Sequence, residues 1–268
     1  MNIYVNEVKR EVDEKITLKN LKSILCPDSD VSVVNGFPSN DGSKVLKEND
    51  RVTFIKKGRI PKKEDLEALM IARHTPGLHS SLKKGKVAVL GLGGLGSNIA
   101  RSLARVGVGK LILADFDVVE PSNLNRQNYF IEDIGKLKTE ATKDNIKRIN
   151  PFLDIETHNM LVSADNMDVF SKVDIIIEAF DNPESKAEIS NHVLIKMRDK
   201  YLIASSGMAG YYDSNIINTK KIRNKFYICG DFVNEAKEGE GLMAPRVSIC
   251  ANHMANLAVQ ILSDIYSE

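Results

Sequence analysis

The sequence is short of cysteine, of net charge and of long apolar runs, and each shortage excludes something. Cys26, Cys229 and Cys250 are the three cysteines in 268 residues, an odd set with no paired CxxC. Neither a disulfide framework nor a cysteine zinc site is encoded, and a reducing compartment is the simplest reading. Lys and Arg number 37 against 36 Asp and Glu, a net charge of +1. No global field therefore holds the chain to nucleic acid or to an anionic membrane, and any anion must be caught locally. The longest apolar runs, such as Val87 to Leu90 and Ile175 to Ile177, fall far short of the ~20 residues of a membrane helix. The start, Met1-Asn2-Ile3-Tyr4, has no apolar signal core, so a cytoplasmic location is expected. Internal repeats and low-complexity tracts are missing too. What is present, 43% hydrophobic and 27% charged residues, suits a globular chain with a sizeable core.

Residues 1–60 differ from the rest. Ile3 and Val5 alternate with polar neighbours, Val8 to Val12 suits a second short strand, and Thr17 can cap a helix through Leu18, Leu21 and Ile24. Val31 to Val34, closed by the turn pair Asn35-Gly36, and Val52 to Ile55 read as further strands. Strand, strand, helix, strand, strand is the order of a small β-grasp α+β domain. Lys56 to Lys63 reads as a linker. Over 61–268 the pattern becomes α/β. A helix from Glu64 to Arg73 precedes buried strands at Lys86 to Leu90, Lys110 to Ala114, Val173 to Phe180 and Tyr201 to Ala204. Helices at Gly94 to Val106, Lys138 to Ile149 and Pro183 to Arg198 alternate with them, and a last helix follows Pro245. The alternation predicts a Rossmann-like, mostly parallel sheet with helices on both faces.

The first of these α/β strands runs into Gly91-Leu92-Gly93-Gly94-Leu95-Gly96 and then a helix, the GxGxxG arrangement in its required context. Glycines let the backbone turn tightly and approach a phosphate, whose charge meets free N–H groups and the positive end of the helix dipole. Asp115 closes the next strand at the spacing expected of an acid that holds ribose hydroxyls. This much suits NAD, FAD or ATP equally. Asp117 is either a second functional acid or a solvated loop charge. The polar run Ser122-Asn123-Leu124-Asn125-Arg126-Gln127 then puts a guanidinium, a rigid fork of donors, where it can reach phosphate oxygens. Lys138, opening the following helix, is placed with Arg126 at the phosphates. Asp181-Asn182 falls at the carboxyl edge of the sheet. Asp181 suits a magnesium ligand beside substrate phosphates, or the N-cap of the helix that Pro183 opens, or both.

Together the glycine loop, Asp115-Phe116-Asp117, Ser122 to Gln127, Lys138 and Asp181-Asn182 resemble the ThiF/MoeB/HesA family, whose fold is shared with ubiquitin-activating enzymes. The resemblance covers roughly Glu64 onward and is closest to the ThiF branch that adenylates the sulfur carrier ThiS, with residues 1–60 resembling a fused ThiS-like domain. It implies ATP as substrate, Asp115 on the ribose, Asn123, Arg126 and Lys138 on the phosphates, and Mg2+ on Asp181. It further implies a homodimer in which Arg73 reaches the partner's ATP, and a separate ThiS-like carrier ending in Gly-Gly as the protein partner. The activity implied is adenylation of that terminal glycine carboxylate, in assembly of the thiamine thiazole. Two rival readings are an NAD-dependent oxidoreductase and a nucleotide-bound carrier-docking scaffold without turnover.

The sequence departs from that family in three places. Family members with structural zinc carry two CxxC pairs, but Phe226-Tyr227-Ile228-Cys229 keeps one cysteine of the first, so zinc is not expected. The loop Glu235 to Gly241 lacks the cysteine that some ThiF proteins join to the carrier, which leaves Cys229 as the nearest candidate, with burial the preferred reading. Lastly, Gly58-Arg59-Ile60-Pro61 continues where a carrier would end in a free carboxylate. The fused domain is therefore expected to be a structural or regulatory module.

Overall fold

The structure is a computed structural model that describes residues 1–72 and 77–267. The chain divides into two compact units, Met1–Pro76 and Gly77–Glu268.

In the first unit, β1 (Asn2–Val5), β2 (Val8–Glu11), β3 (Val31–Val34), β4 (Phe37–Pro38) and β5 (Arg51–Ile55) form a sheet of order β2-β1-β5-β3-β4. The β1/β5 pair is parallel and the other neighbours are antiparallel. Helix α1 (Leu18–Leu25) begins where the Thr17 side chain accepts from the Asn20 N–H, the expected cap. Its Leu18 and Leu21 join Ile3, Val5, Val34, Val52 and Phe54 in a separate small core. Asn35 and Gly36 both take positive φ, 52° and 85°, as the hairpin turn between β3 and β4 requires. This is the β-grasp expected from the strand order. Helix α2 (Lys63–Ile71) follows and has no buried residue.

The second unit contains α3 (Leu78–Lys84), β6 (Lys86–Leu90), α4 (Gly94–Val106), β7 (Lys110–Asp115), α5 (Lys138–Lys147), β8 (Asp154–Asn159) and β9 (Ile175–Glu178). It continues with α6 (Pro183–Lys196), β10 (Tyr201–Ser205), β11 (Asn218–Arg223), β12 (Phe226–Gly230) and α7 (Ala244–Tyr266). Seven strands pair in the order β11-β12-β10-β9-β6-β7-β8, all parallel except β11 against β12. Val87 and Val89 join a core with α4 and α7 on one face, whereas Ala88 and Leu90 join Phe170, Ile189 and Val193 on the other. Burial on both faces is why the inner strands read as unbroken apolar runs.

Strands β8 and β11 are the two edges of this sheet. Their sequences, Asp-Ile-Glu-Thr-His-Asn and Asn-Thr-Lys-Lys-Ile-Arg, are polar as edge strands are, and apolar patterning does not mark them. The chain leaves β6 for β7 and β8 on one side, and β9 takes up the other side. This reversal makes a crevice outside the carboxyl ends of β6 and β9, where α/β sheets bind ligands. No described helix is long and apolar enough to cross a membrane.

Candidate nucleotide site

The turn after β6 depends on glycine at two positions. Gly91 has φ +87°, and a Cβ there would stand 2.9 Å from the Ala179 carbonyl oxygen. At Gly96 a Cβ would lie 1.8 Å from the Gly91 carbonyl oxygen, so only glycine lets α4 pack this close to its strand. At Gly93, by contrast, an added Cβ would make only an ordinary contact, with the Gln127 amide nitrogen at 3.9 Å.

Asp115, at the end of β7, braces this turn. One carboxylate oxygen accepts the Leu92 N–H at 2.6 Å and the other the Asp117 N–H at 2.8 Å. Burial pushes its pKa up, opposed by those two N–H groups. A carboxylate has about four lone-pair sites, so capacity for hydroxyls remains. Tyr129, which sequence reasoning missed, donates its hydroxyl to the Leu92 carbonyl at 2.8 Å and meets Thr142 of α5 at 3.1 Å.

The polar run forms a short 3-10 helix, Pro121–Asn125, whose Asn123 side chain accepts the Glu120 N–H at 3.1 Å. Asn123 thereby has its oxygen occupied, while its amide nitrogen makes only a 3.5 Å contact with Ser122. The turn delivers Arg126 across the glycine loop, its Cγ 3.5 Å from where a Gly94 Cβ would be. Its guanidinium donates to Asn125 at 2.8 Å, and its buried Nε has no acceptor. Lys138, 6% exposed, donates to the Asp117 carboxylate at 2.8 Å. Asp117 thus anchors this lysine while its own side chain stays partly exposed.

The turn after β9 lies beside the glycine loop, since the Phe180 ring would be 3.2 Å from a Gly91 Cβ. Asn182, not Asp181, caps α6 by accepting the Ser185 N–H at 2.9 Å. Asp181 is exposed, and no hydrogen bond or ion pair to it occurs among the described residues. Beneath it is a feature sequence reasoning missed. Glu178 is fully buried and accepts from Lys186 at 2.9 Å and from the Phe180 N–H at 2.7 Å. Lys186 also donates to the Phe180 carbonyl and the Ser205 hydroxyl, so both peptide groups of the residue before Asp181 are held. The signal in the sequence was an acid inside the apolar run Ile175 to Ala179.

A second buried pair, Arg246–Asp231, ties the start of α7 to the loop after β12 and to the carbonyls of Tyr212 and Asp213. Cys229 is buried, its pKa pushed up to about 11 by that burial, with Thr219 opposing. It is no available nucleophile. Cys250 is likewise buried, and Cys26 is half-buried. Arg73 lies outside the described residues. Among those residues, no three His, Cys, Asp or Glu side chains gather as a metal cluster. The residues at hand fit a magnesium nucleotide: an uncrowded Gly93 and, among the described residues, an unpaired Nε on Arg126 and an unpaired Asp181 carboxylate, with phosphate and water supplying most metal ligands.

A β-grasp unit joined to a doubly wound sheet with a glycine turn at its switch point defines a Rossmann-like α/β protein carrying a ubiquitin-like module. Residues 67–268 match the ThiF family and residues 1–58 match ThiS-like ubiquitin, and the chain belongs to the ThiF family. It is 31% identical over 210 residues to the adenylyltransferase and sulfurtransferase UBA4 of Eremothecium gossypii, covering 74% of this chain and 46% of that protein. Over 103 residues it is 39% identical to the probable adenylyltransferase/sulfurtransferase MoeZ of Mycobacterium tuberculosis, covering 38% and 26%. The chain thus spans less than half the length of these curated relatives. Among solved structures, E. coli tRNA N6-threonylcarbamoyladenosine dehydratase in complex with ATP superposes with TM-score 0.66 at 21% identity, covering 73% of this chain and 93% of that one. E. coli MccB with ATP gives 0.56 at 23%, covering 71% and 59%. These likenesses show the fold.

Proposed function

We propose that the protein is an adenylyltransferase that uses Mg-ATP to activate the C-terminal glycine carboxylate of a separate ThiS-like sulfur carrier, acting as a cytoplasmic homodimer in assembly of the thiamine thiazole. The observation that carries this reading is Arg126, held across Gly94 with a buried, unpaired Nε. An NAD-dependent oxidoreductase shares the glycine loop and Asp115 but gives no reason for Arg126, Lys138 and Asp181 together. The adenylyltransferase/sulfurtransferase relatives UBA4 and MoeZ, and the two similar structures solved with ATP, support the same reading.

The reaction follows from charge. The carrier carboxylate is already ionised at pH 7 and needs no general base. Its oxygen attacks the α-phosphorus, the bond from that phosphorus to the leaving oxygen breaks, and the electron pair departs with pyrophosphate, leaving an acyl-adenylate. Two anions at contact repel by about 1 kcal/mol in bulk water and several times more at a partly dry site, so cations must be fixed in advance. Arg126 and Lys138 supply them, Lys138 with its stem buried and its head anchored on Asp117. Asp115 holds the ribose, and Asn123 offers its amide nitrogen to a phosphate oxygen. When bound at Asp181, Mg2+ adds positive charge against the departing phosphates. Positioning does most of the work.

The first unit serves as a structural or regulatory module, because its Gly58 is joined to Arg59 and has no free carboxylate. Deletion of residues 1–60 is expected to change carrier affinity or stability, and no change in either would sink that role. The adenylation itself is tested by carrier-dependent exchange of labelled pyrophosphate into ATP. Wild type exchanges, and Arg126→Ala stays folded but loses most of it. A thermal shift with NAD and none with Mg-ATP would overturn the proposal.

A further inference from the structure

A second cationic site lies on the helical side of the same unit. The outer face of α4, the loop after Gln127 and α5 enclose a cavity of about 250 Å³, lined by Arg101, Arg105 and Arg148 and by the amides of Asn128 and Asn145. None of Asp115, Asn123, Arg126, Lys138 or Asp181 lines it, and no Asp or Glu does. Three positive charges thus share a recess, and among the described residues only one of them has a carboxylate within 4 Å, Glu132, 3.8 Å from Arg148.

The three guanidiniums are not equivalent. Arg101 is held half-buried by the carbonyl oxygens of two side-chain amides, Asn98 at 3.2 Å and Asn128 at 3.3 Å. Burial, and then the charge of Arg105 beside it, depress its pKa, and no ion pair to either arginine occurs among the described residues. Holding the Asn128 oxygen on Arg101 fixes that amide, and its Nδ2 is left buried without an acceptor. Arg148 stacks 5.3 Å above the Phe130 ring, while Phe130, Ile146 and Ile149 give the recess an apolar wall.

We propose that this cavity is a binding site for a phosphate-class oxyanion of charge −2 or more, separate from the nucleotide loop. Guanidinium forks match phosphate oxygens in geometry. A lone carboxylate would leave most of the positive charge unanswered. The apolar wall leaves room for the small organic body of a phosphate ester.

The test is calorimetric titration of the full chain with inorganic pyrophosphate, and in a parallel arm with acetate. Wild type should show two pyrophosphate events. Arg105→Gln/Arg148→Gln, which alters only exposed side chains, should weaken one event about tenfold or more for each guanidinium lost and leave the other. Arg126→Ala should spare the event that the double variant loses. An unchanged isotherm in the double variant overturns the proposal, as does acetate binding as tightly as pyrophosphate. Sedimentation velocity covers the remaining reading. A double variant that keeps both pyrophosphate events yet drops to a smaller assembly would mean that the arginines meet acids of a second copy, which also overturns it. Failure here leaves the adenylation reading standing, since that rests on Arg126.

Discussion

Two neighbouring turns at the carboxyl edge of the sheet solve the same problem by opposite means. The turn after β6 is shaped by what is missing, because no side chain at Gly91 or Gly96 keeps the strand and α4 apart. The turn after β9 is shaped by what is added beneath it, a buried carboxylate and a lysine that grip both peptide groups of Phe180. Each turn also carries one position without a tight contact or a polar partner among the described residues, Gly93 in the first and the Asp181 side chain in the second. On the proposed function, fold and chemistry fall to different residues within each turn, and substitutions can separate them.

The largest effect is expected at Lys186→Met, which strands Glu178 in the core. Breaking one side of a buried ion pair costs about 3–5 kcal/mol, a melting drop of roughly 10 °C or more for a unit of this size. The pH dependence has a definite sign. Burial raises the Glu178 pKa against the pull of Lys186, so in the folded state the group holds its proton above the unfolded value near 4.3. Its contribution to stability then falls as pH rises between those two values. Removing the lysine raises the folded value further. The melting penalty of Lys186→Met, measured from pH 4 to 7, should therefore grow with pH.

Gly96→Ala should come next, at about 3 kcal/mol, because the added methyl meets backbone that cannot yield. No charge is involved, so its penalty should be flat over the same pH range. If the two penalties share one pH profile, the contrast between the turns is wrong. Asp181→Ala should melt like wild type and yet lose about a hundredfold or more in pyrophosphate exchange, with added Mg2+ failing to restore it, the scale of losing one preorganised charge. A melting loss in that variant would merge its role with that of Glu178. The smallest effect is expected at Lys138→Ala, about tenfold in exchange, since a point charge is lost and no bidentate contact.

The glycine turn was legible in the sequence because its requirement is steric and local, and three glycines at fixed spacing announce it. The β-grasp order was legible for a similar reason, in Thr17 as a cap and Asn35-Gly36 as a turn. The bracing of the other turn was not. Glu178 and Lys186 are eight residues apart on different elements, and an acid in an apolar run can face either a partner or solvent until the fold is known. Asp117 and Lys138 show the same blindness at 21 residues of separation. The sequence does not link them to each other, and only the packing of α5 against the end of β7 makes them a pair. Strands β8 and β11 escaped because an edge strand need not be apolar.

The most direct measurement of the central claim is the intact mass of candidate Gly-Gly-ending carriers after incubation with the protein and Mg-ATP. The account predicts a carrier heavier by one adenylate at its terminus, with wild type and not with Arg126→Ala. ATP bound with every candidate carrier left at its original mass would contradict it.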